Sequence, residues 1–285
     1  MLTYIKDFDK KTASHIDCEE LTLACGSNVN MYTIKSVYDL TQFIGYGKYI
    51  NPDYNVFLRG QSDTYNGNMI PSLYRNNTNS THFNEQYNRR INQFIERISA
   101  FSGYPRITLE PLLQHYGVKT PYIDLVDNVW VALWFAVHDC RREIIKSHEY
   151  LYYTKNQNEY AYIFLMASDA NRTTADRGVY EGDLTKLVDL RKSVPSYFLR
   201  PHAQHAYMLR KNNVLPNDYS DLIIGIAKIP TDLGLLWLGN NEFLTVDSLF
   251  PSAVFDCGYA SLLREYPEED VSHVKTHGSI QIIHG

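Results

Sequence analysis

The sequence predicts an α+β fold in which helices pack on a single mixed sheet core. Segments 160–167 and 222–229 are continuous apolar runs rich in β-branched and aromatic residues, a pattern typical of buried strands. Segment 84–101 repeats Ile and Phe at intervals of three and four residues, which predicts an amphipathic helix. Strand and helix patterns do not alternate steadily along the chain, which favours α+β over a parallel α/β sheet.

The remaining elements follow from local signals. Ser36, with Asp39 three residues later, fits a helix cap, and Pro111 suits the first turn of a helix. In chain order we expect a short strand or hairpin near 21–24, a helix from Ser36, a strand over 54–58 that stops at Arg59, a loop over 61–80, the helix over 84–101, a helix over 108–115, a buried helix over 130–137 capped by Asp127, and helices over 197–209 and 252–264.

The composition is that of a globular protein without a strong charge. The chain has 285 residues, 44% of them hydrophobic, and a formal charge of -5, so wholesale disorder and binding to nucleic acid through bulk charge are both disfavoured. No run approaches the ~18 apolar residues of a membrane span. The first residues carry no basic region followed by an apolar core, and the four cysteines form no C-x-x-C pair. We therefore expect no membrane segment, no secretory signal and a cytoplasmic location.

Several common catalytic motifs are absent from the sequence. It has no phosphate-binding loop, no G-x-G-x-x-G opening a helix, no H-E-x-x-H, no G-x-S-x-G and no cysteine cluster with zinc spacing. His202 and His205 lie three residues apart in a segment expected to be helical, and two such imidazoles can share a metal ion. A metal-dependent nuclease or hydrolase that adds His115 and Asp124 to this pair therefore stays open.

Three segments carry a resemblance to a known family. They are Phe57-Leu58-Arg59-Gly60-Gln61 with Pro71-Ser72-Leu73-Tyr74-Arg75, the block from Leu113 to Leu125 followed by Ala132 to Ala136, and Arg200 to Met208. Together they resemble the FRG domain, which shows F-R-G-Q, P-S-L-x-R, Q-H-x-G-x-P-T-R-L-L-D before A-L-x-F-A, and a late R-x-x-x-Q-x-G-x-F.

The FRG resemblance runs from about residue 34 to residue 263. It implies an N-terminal extension (1–33) packed on the core, an FRG-like domain (34–264) and a C-terminal tail (265–285). The apolar residues 280–283 of the tail predict an edge strand. This chain departs from the family pattern where Leu58 replaces Phe, Pro121 and Tyr122 replace Arg-Leu, and Ala206 and Met208 replace Gly and Phe.

The layout of these segments is also similar to that of ADP-ribosyltransferases. That family places an Arg or His on a first strand, Ser, Thr or Tyr on a second, and Glu or Gln on a late one. The resemblance implies NAD as a substrate and no metal. It gives Arg59, Thr120, Asp124 and Gln204 catalytic roles, and makes Arg59, Gly60, His115, Tyr116, Tyr122 and Phe135 the residues that bind NAD. Gln204 occupies the position of the usual late Glu, and Asp124 or Glu242 is the alternative carboxylate.

Three functions follow as hypotheses. The first is an NAD-dependent ADP-ribosyltransferase that modifies a macromolecular acceptor, RNA, DNA or protein, as a toxin or phage-defence effector with an antitoxin or other neutralising partner. The second is the metal-dependent nuclease. The third is a non-catalytic module that senses a nucleotide or binds a partner. The residues favour the first, because a guanidinium, a hydroxyl and a carboxylate can hold pyrophosphate and ribose without a metal.

Overall fold

Strands of the computed structural model build one long mixed sheet. The model describes residues 2–12, 15–75, 80–98, 101–145, 148–212 and 218–265. Within these ranges the strands are β1 Cys18–Thr22, β2 Asn28–Thr33, β3 Asn55–Gln61, β4 Ile123–Val126, β5 His138–Ile145, β6 His148–Lys155, β7 Tyr160–Ser168, β8 Arg172–Thr173, β9 Val179–Glu181, β10 Thr185–Asp189, β11 Ala206–Lys211 and β12 Ile223–Pro230.

Ten of these strands form the sheet, in the order β1-β2-β12-β7-β3-β4-β11-β10-β9-β8, and β5 and β6 pair only with each other. Strands β2 and β12 are parallel, whereas the other paired strands of the sheet are antiparallel. The predicted α+β class with a single mixed sheet core is therefore confirmed. The two apolar runs form β7 and β12, neighbours near the middle of the sheet, where both faces are covered.

Nine α-helices are present in the described ranges. They are α1 Val37–Tyr49, α2 Thr81–Arg97, α3 Arg106–His115, α4 Val129–Val137, α5 Leu190–Ser193, α6 Leu199–Ala203, α7 Thr231–Trp237, α8 Val246–Leu249 and α9 Cys257–Glu265. The Ser36 side chain accepts a hydrogen bond from the backbone N–H of Asp39 (3.1 Å), which confirms the predicted cap of α1. None of the helices in these ranges combines the length and the apolar character that crossing a membrane requires.

The sheet alternates its side chains between two faces. On β3, Leu58 packs in a core cluster with helix α4, whereas its neighbour Phe57 packs in a cluster on the other face with Phe164. A further cluster combines α2 and α3 with residues of β10 and β11. Helices α3 and α4 flank β4 along the chain, and the polar residues considered below lie where these helices meet β3 and β4.

Helix α4 packs unusually close to β3. A Cβ atom added to Gly60 would lie 1.8 Å from the carbonyl oxygen of Ala132 and 2.8 Å from the backbone N of Ala136. No side chain fits in that space, so the glycine of the Arg-Gly pair allows the helix to lie against the strand. This contact explains Gly60 through packing.

Several predicted elements were wrong in extent. Segment 197–209 is not one helix, because α6 ends at Ala203 and His205 adopts a left-handed backbone (φ 53°) before β11 begins. Strand β3 does not stop at Arg59 but continues to Gln61, paired with β7 throughout. Helix α4 is capped by Asn128, whose side chain accepts from two backbone N–H groups, and not by Asp127.

Two further differences concern helices α3 and α9, and two expectations concern the chain termini. Pro111 lies inside α3 and not in its first turn, and α9 begins at Cys257, five residues later than predicted. The N-terminal segment supplies a hairpin, β1–β2, that forms one end of the main sheet. The predicted edge strand over 280–283 lies outside the described residues.

Candidate functional site

A cavity of about 260 Å³ lies between α3, α4 and the strands β3 and β4. Six residues predicted for the site border it: Arg59, Gly60, His115, Asp124, Phe135 and Gln204. The site residues predicted from the sequence do not include other residues that line the cavity, among them Gln114, Tyr153, Arg200 and Phe250. Tyr153 and Phe250 come from β6 and from the residue after α8, far from the motifs, so no local pattern indicated them.

A larger cleft of about 570 Å³ adjoins this cavity. Arg59, Gly60, Phe135 and Tyr153 border both spaces, so these residues lie at their junction. The outer cleft also includes Tyr65 and Arg75 from the loop after β3. Together the two volumes are of the size that small-molecule sites of proteins occupy, which is roughly 300–1,000 Å³.

Arg59 joins β3 to β4 at this junction. Its Nε donates to Gln61 Oε1 (2.8 Å), and its Nη1 donates to the backbone carbonyl of Asp124 (2.7 Å). The Asp124 carboxylate lies 3.8 Å from the same Nη1. Burial lowers the pKa of the Arg59 guanidinium, and Asp124 opposes that effect; because its ordinary pKa is above 12, the group stays charged at neutral pH.

Asp124 lies in the middle of β4 and is held by Gln114. Gln114 Nε2 donates to Asp124 Oδ2 (2.7 Å), and the Thr120 hydroxyl donates to Gln114 Oε1. Thr120 is fully buried and also accepts a hydrogen bond from the backbone N–H of Tyr122. Thr120 does not border the cavity. Its hydroxyl therefore acts on the site only indirectly, by holding the Gln114 side chain that donates to Asp124.

The hydrogen bonds of His115 determine which of its nitrogens carries the proton. Gln204 Nε2 donates to the backbone carbonyl of Leu249 (2.8 Å), which leaves Gln204 Oε1 as the acceptor for His115 Nδ1 (3.1 Å). The proton of the neutral ring thus lies on Nδ1, and Nε2 presents a lone pair. Burial lowers the pKa of His115 below its ordinary value and outweighs the opposing effect of the Asp124 carboxylate, so the ring is neutral at pH 7.

His115 Nε2 and Asp124 form a pair of hydrogen-bond acceptors at the cavity. Nε2 is buried, has no hydrogen-bond partner in the described part of the chain, and lies 3.7 Å from Asp124 Oδ1. Two acceptors at this distance cannot bond to each other, and a buried polar atom without a partner is costly. The pair therefore suits a ligand or water that donates hydrogen bonds, such as a sugar hydroxyl.

Tyr116 and Tyr122, predicted to hold the ligand, lie away from both spaces. The Tyr116 hydroxyl donates to Asp256 Oδ2 (2.7 Å), and its ring stacks on Tyr259. Tyr122 is buried in the same core cluster as Tyr116. Burial raises the pKa of both phenols. Their surroundings give these two rings a packing role, and of the three predicted aromatic residues only Phe135 borders the described cavity.

The four groups of the predicted metal cluster do not come together in one place, because His202 and His205 lie away from the pair formed by His115 and Asp124. His205 lies outside α6, with its Nδ1 3.3 Å from Asp127 Oδ1 and 3.1 Å from Arg191 Nη1. His202 and His205 therefore do not share a helix face, and neither borders the cavity that holds His115 and Asp124. Among the residues that the structure describes, no group of three or more His, Cys, Asp or Glu side chains could hold a metal ion.

These features define an α+β protein with a cavity, lined by both polar and apolar side chains, between two helices on one face of its sheet. Residues 54–144 match the family model of the FRG domain, which confirms the FRG resemblance read from the sequence. The matched segment includes Arg59, His115, Asp124 and Phe135, whereas Arg200 and Gln204 lie outside it. No curated protein and no solved structure matches the chain.

Proposed function

We propose that this protein is an enzyme that transfers ADP-ribose from NAD to a macromolecular acceptor. The observation that carries the proposal is the meeting of a guanidinium (Arg59), a carboxylate (Asp124) and a neutral imidazole (His115) at one cavity that opens into a larger cleft. A dinucleotide needs an anchor for its pyrophosphate, acceptors for its ribose hydroxyls and room for two rings, and these groups supply each of them.

In this proposal NAD spans both spaces. Arg59 at their junction binds the pyrophosphate through two parallel hydrogen bonds. The nicotinamide ribose donates to Asp124 Oδ1, which accepts no hydrogen bond from the described residues, and the lone pair of His115 Nε2 stays available for the reaction. The nicotinamide ring lies among the rings of Phe135, Tyr153 and Phe250. The ring centre of Phe250 lies 4.8 Å from that of Tyr153 and 6.0 Å from that of Phe135. The adenosine half occupies the outer cleft near Tyr65 and Arg75.

The chemistry then needs only groups that the site contains. The bond between C1′ of the ribose and the nicotinamide nitrogen breaks, and nicotinamide leaves with the bonding electron pair as a neutral molecule. The oxocarbenium-like charge on the ribose is stabilised by the Asp124 carboxylate. A nucleophile of the acceptor forms the new bond to C1′, and its proton passes to His115 Nε2, which is free to accept it because burial keeps the ring neutral.

The biological role belongs to the same proposal. An enzyme that consumes NAD and modifies RNA, DNA or protein would harm the cell that makes it. This consequence supports a toxin or phage-defence effector that acts in the cytoplasm and is restrained by a neutralising partner. The proposal requires no metal ion.

Incubation of the purified protein with NAD labelled in its adenylate half, with and without cell lysate, tests the proposal. We expect nicotinamide release and transfer of label to macromolecules, both reduced at least about 100-fold in Asp124→Asn, the size of effect known for lost transition-state electrostatics. Asp183→Asn is the matched control, because Asp183 pairs with Arg172 at an exposed position remote from the cavity.

Two outcomes would overturn the proposal. One is the absence of both nicotinamide release and label transfer with the wild type under any acceptor tested. The other is turnover that Asp124→Asn leaves unchanged. Binding of ADP-ribose by a protein that releases no nicotinamide would instead favour the nucleotide-sensing module.

A further inference from the structure

Arg200 is the least satisfied cation of the cavity. It is only 1% exposed, yet it borders the cavity between α3 and α4. Its Nη1 donates to the backbone carbonyl of His115 (2.6 Å), and its Nε is buried without a hydrogen-bond partner in the described chain. A guanidinium has five N–H donors, and the described residues satisfy one of them.

No carboxylate of the described residues lies within ion-pair distance of the Arg200 guanidinium, which distinguishes it from Arg59. The nearby Asp256 is occupied by other donors: its Oδ2 accepts from the Tyr116 hydroxyl and from the backbone N–H of Arg200, and its Oδ1 from the backbone N–H of Tyr259. An unpaired buried charge is expensive.

Three aromatic rings hold the Arg200 side chain in place. Its guanidinium carbon lies 4.8 Å from the ring centre of Tyr116, 4.9 Å from that of Tyr259 and 5.4 Å from that of Phe250. Ring faces stabilise a cation without using its N–H donors. The guanidinium is therefore held rigidly while most of its hydrogen-bonding capacity is left for another group.

We infer that Arg200 and Arg59 together form an anion subsite in this cavity, and that the subsite binds a phosphoryl group of the ligand. Both arginines border the same space of about 260 Å³, and phosphate oxygens can accept hydrogen bonds from two guanidinium groups at once. Arg200 supplies the positive charge that Asp124 does not offset.

Two hydrogen-bond acceptors beside these arginines restrict the ligand further. His115 Nε2 and Asp124 Oδ1 are acceptors and would repel an anion, whereas they suit hydroxyl donors. A ligand that suits both the arginines and these acceptors carries a phosphoryl group next to a hydroxylated sugar, which describes a sugar phosphate or a nucleotide. In the case of NAD this inference rests on the proposed function and adds a second anchor for the pyrophosphate.

Calorimetric titrations with inorganic pyrophosphate, ADP-ribose and adenosine test the subsite. We expect the wild type to bind ADP-ribose and pyrophosphate. Arg200→Met keeps the length of the side chain among the three rings without the charge, and it should weaken binding of both anionic probes at least tenfold. Arg200→Lys retains a cation over the rings and should bind more tightly than Arg200→Met.

Arg210→Met is the matched control. Arg210 also lies over an aromatic ring, with its guanidinium carbon 5.8 Å from the ring centre of Tyr122, but its charge faces Glu110 at 3.9 Å and it does not border the cavity. Its loss should leave pyrophosphate binding unchanged. Circular dichroism establishes that each variant is folded before it is titrated.

The inference is overturned if the wild type binds neither anionic probe at millimolar concentration, or if a folded Arg200→Met binds them as tightly as the wild type. If Arg200→Met does not fold, Arg200→Lys and Arg59→Gln decide the question. The inference is then overturned if folded Arg200→Lys binds pyrophosphate as tightly as the Arg210→Met control and Arg59→Gln also leaves that binding intact. NAD turnover is measured separately, so a failed proposed function leaves the phosphoryl subsite standing, and a failed subsite leaves the turnover result unaffected.

Discussion

Two clusters of the same residue types, each an Asp, an Arg and a His, lie on either side of the end of β4. In the first, Asp124 meets Arg59 and His115; in the second, Asp127 meets Arg191 and His205. Arg191 donates to both oxygens of Asp127 (2.9 and 3.3 Å), to Asp189 Oδ1 (3.2 Å) and to the Tyr207 hydroxyl (2.6 Å). The polar groups of the second cluster therefore satisfy one another's hydrogen bonds.

The first cluster is open. Arg59 donates to the backbone carbonyl of Asp124 but is 3.8 Å from its carboxylate, and His115 Nε2 has no described partner. The comparison shows that residue types alone do not define a binding site. The cluster whose groups satisfy each other's hydrogen bonds stabilises the fold. The cluster that leaves donors and acceptors facing a cavity can bind a ligand.

The largest expected effect separates the two aspartates. Asp124→Asn should reduce NAD turnover about 100- to 1,000-fold, the loss seen when a group that stabilises transition-state charge is removed. Asp127→Asn should leave turnover within about threefold and instead lower stability by about 1 kcal/mol, because a partly exposed ion pair is screened by solvent. Steady-state rates and urea denaturation measure both effects. Equal losses of turnover in the two variants would contradict the comparison.

The second prediction concerns the glycine that brings α4 against the open cluster. Gly60→Ala should destabilise the protein by about 3 kcal/mol, because its Cβ would overlap the Ala132 carbonyl and neither backbone can move independently. Gly45→Ala, in α1 with nothing near the added Cβ, should instead stabilise by about 0.5–1 kcal/mol. Thermal unfolding checks both. A Gly60→Ala variant as stable as Gly45→Ala would show that the contact is not needed.

A smaller effect sharpens the description of the open cluster. Gln204→Leu removes the acceptor of the His115 Nδ1 proton without removing any group proposed to touch NAD. We expect turnover to fall about fivefold, equivalent to the ~1 kcal/mol of one hydrogen bond, and the ring to populate both tautomers. Nitrogen NMR shifts of His115 report the tautomer directly. An unchanged tautomer in Gln204→Leu would contradict the role given to Gln204.

The smallest effect is a pH dependence of stability. Burial lowers the pKa of His115 in the folded state, so the unfolded chain binds a proton first as pH falls below about 6.5. Stability due to this group is therefore complete above that pH and is lost progressively as the pH falls towards the folded pKa. His115→Gln should lose less stability than the wild type between pH 7 and pH 5, measured by urea denaturation. A steeper loss of stability in the variant would contradict a pKa of His115 that is lowered by folding.

Local patterns predicted the elements that depend on neighbours in sequence. The Ser36 cap of α1 and the buried strands β7 and β12 were predicted correctly, because a cap needs only three residues and a buried run needs only apolar composition. The prediction of one helix over 197–209 is wrong, because the pairing of β11 with β4 and β10 overrides the local helix preference. The hairpin β5–β6 was missed, since its strands lack a long apolar run.

The sequence by itself determined the α+β class, the FRG motifs and the presence of Arg59, His115, Asp124, Phe135 and Gln204 in one candidate site. Only the tertiary structure decided that Thr120, Tyr116 and Tyr122 lie behind that site, that Arg200 borders it, and that Gly60 serves packing. The physical reason is that a motif records which groups are near in sequence. Whether a buried donor or acceptor is satisfied depends on partners from distant strands and helices, and those come together only in the folded chain.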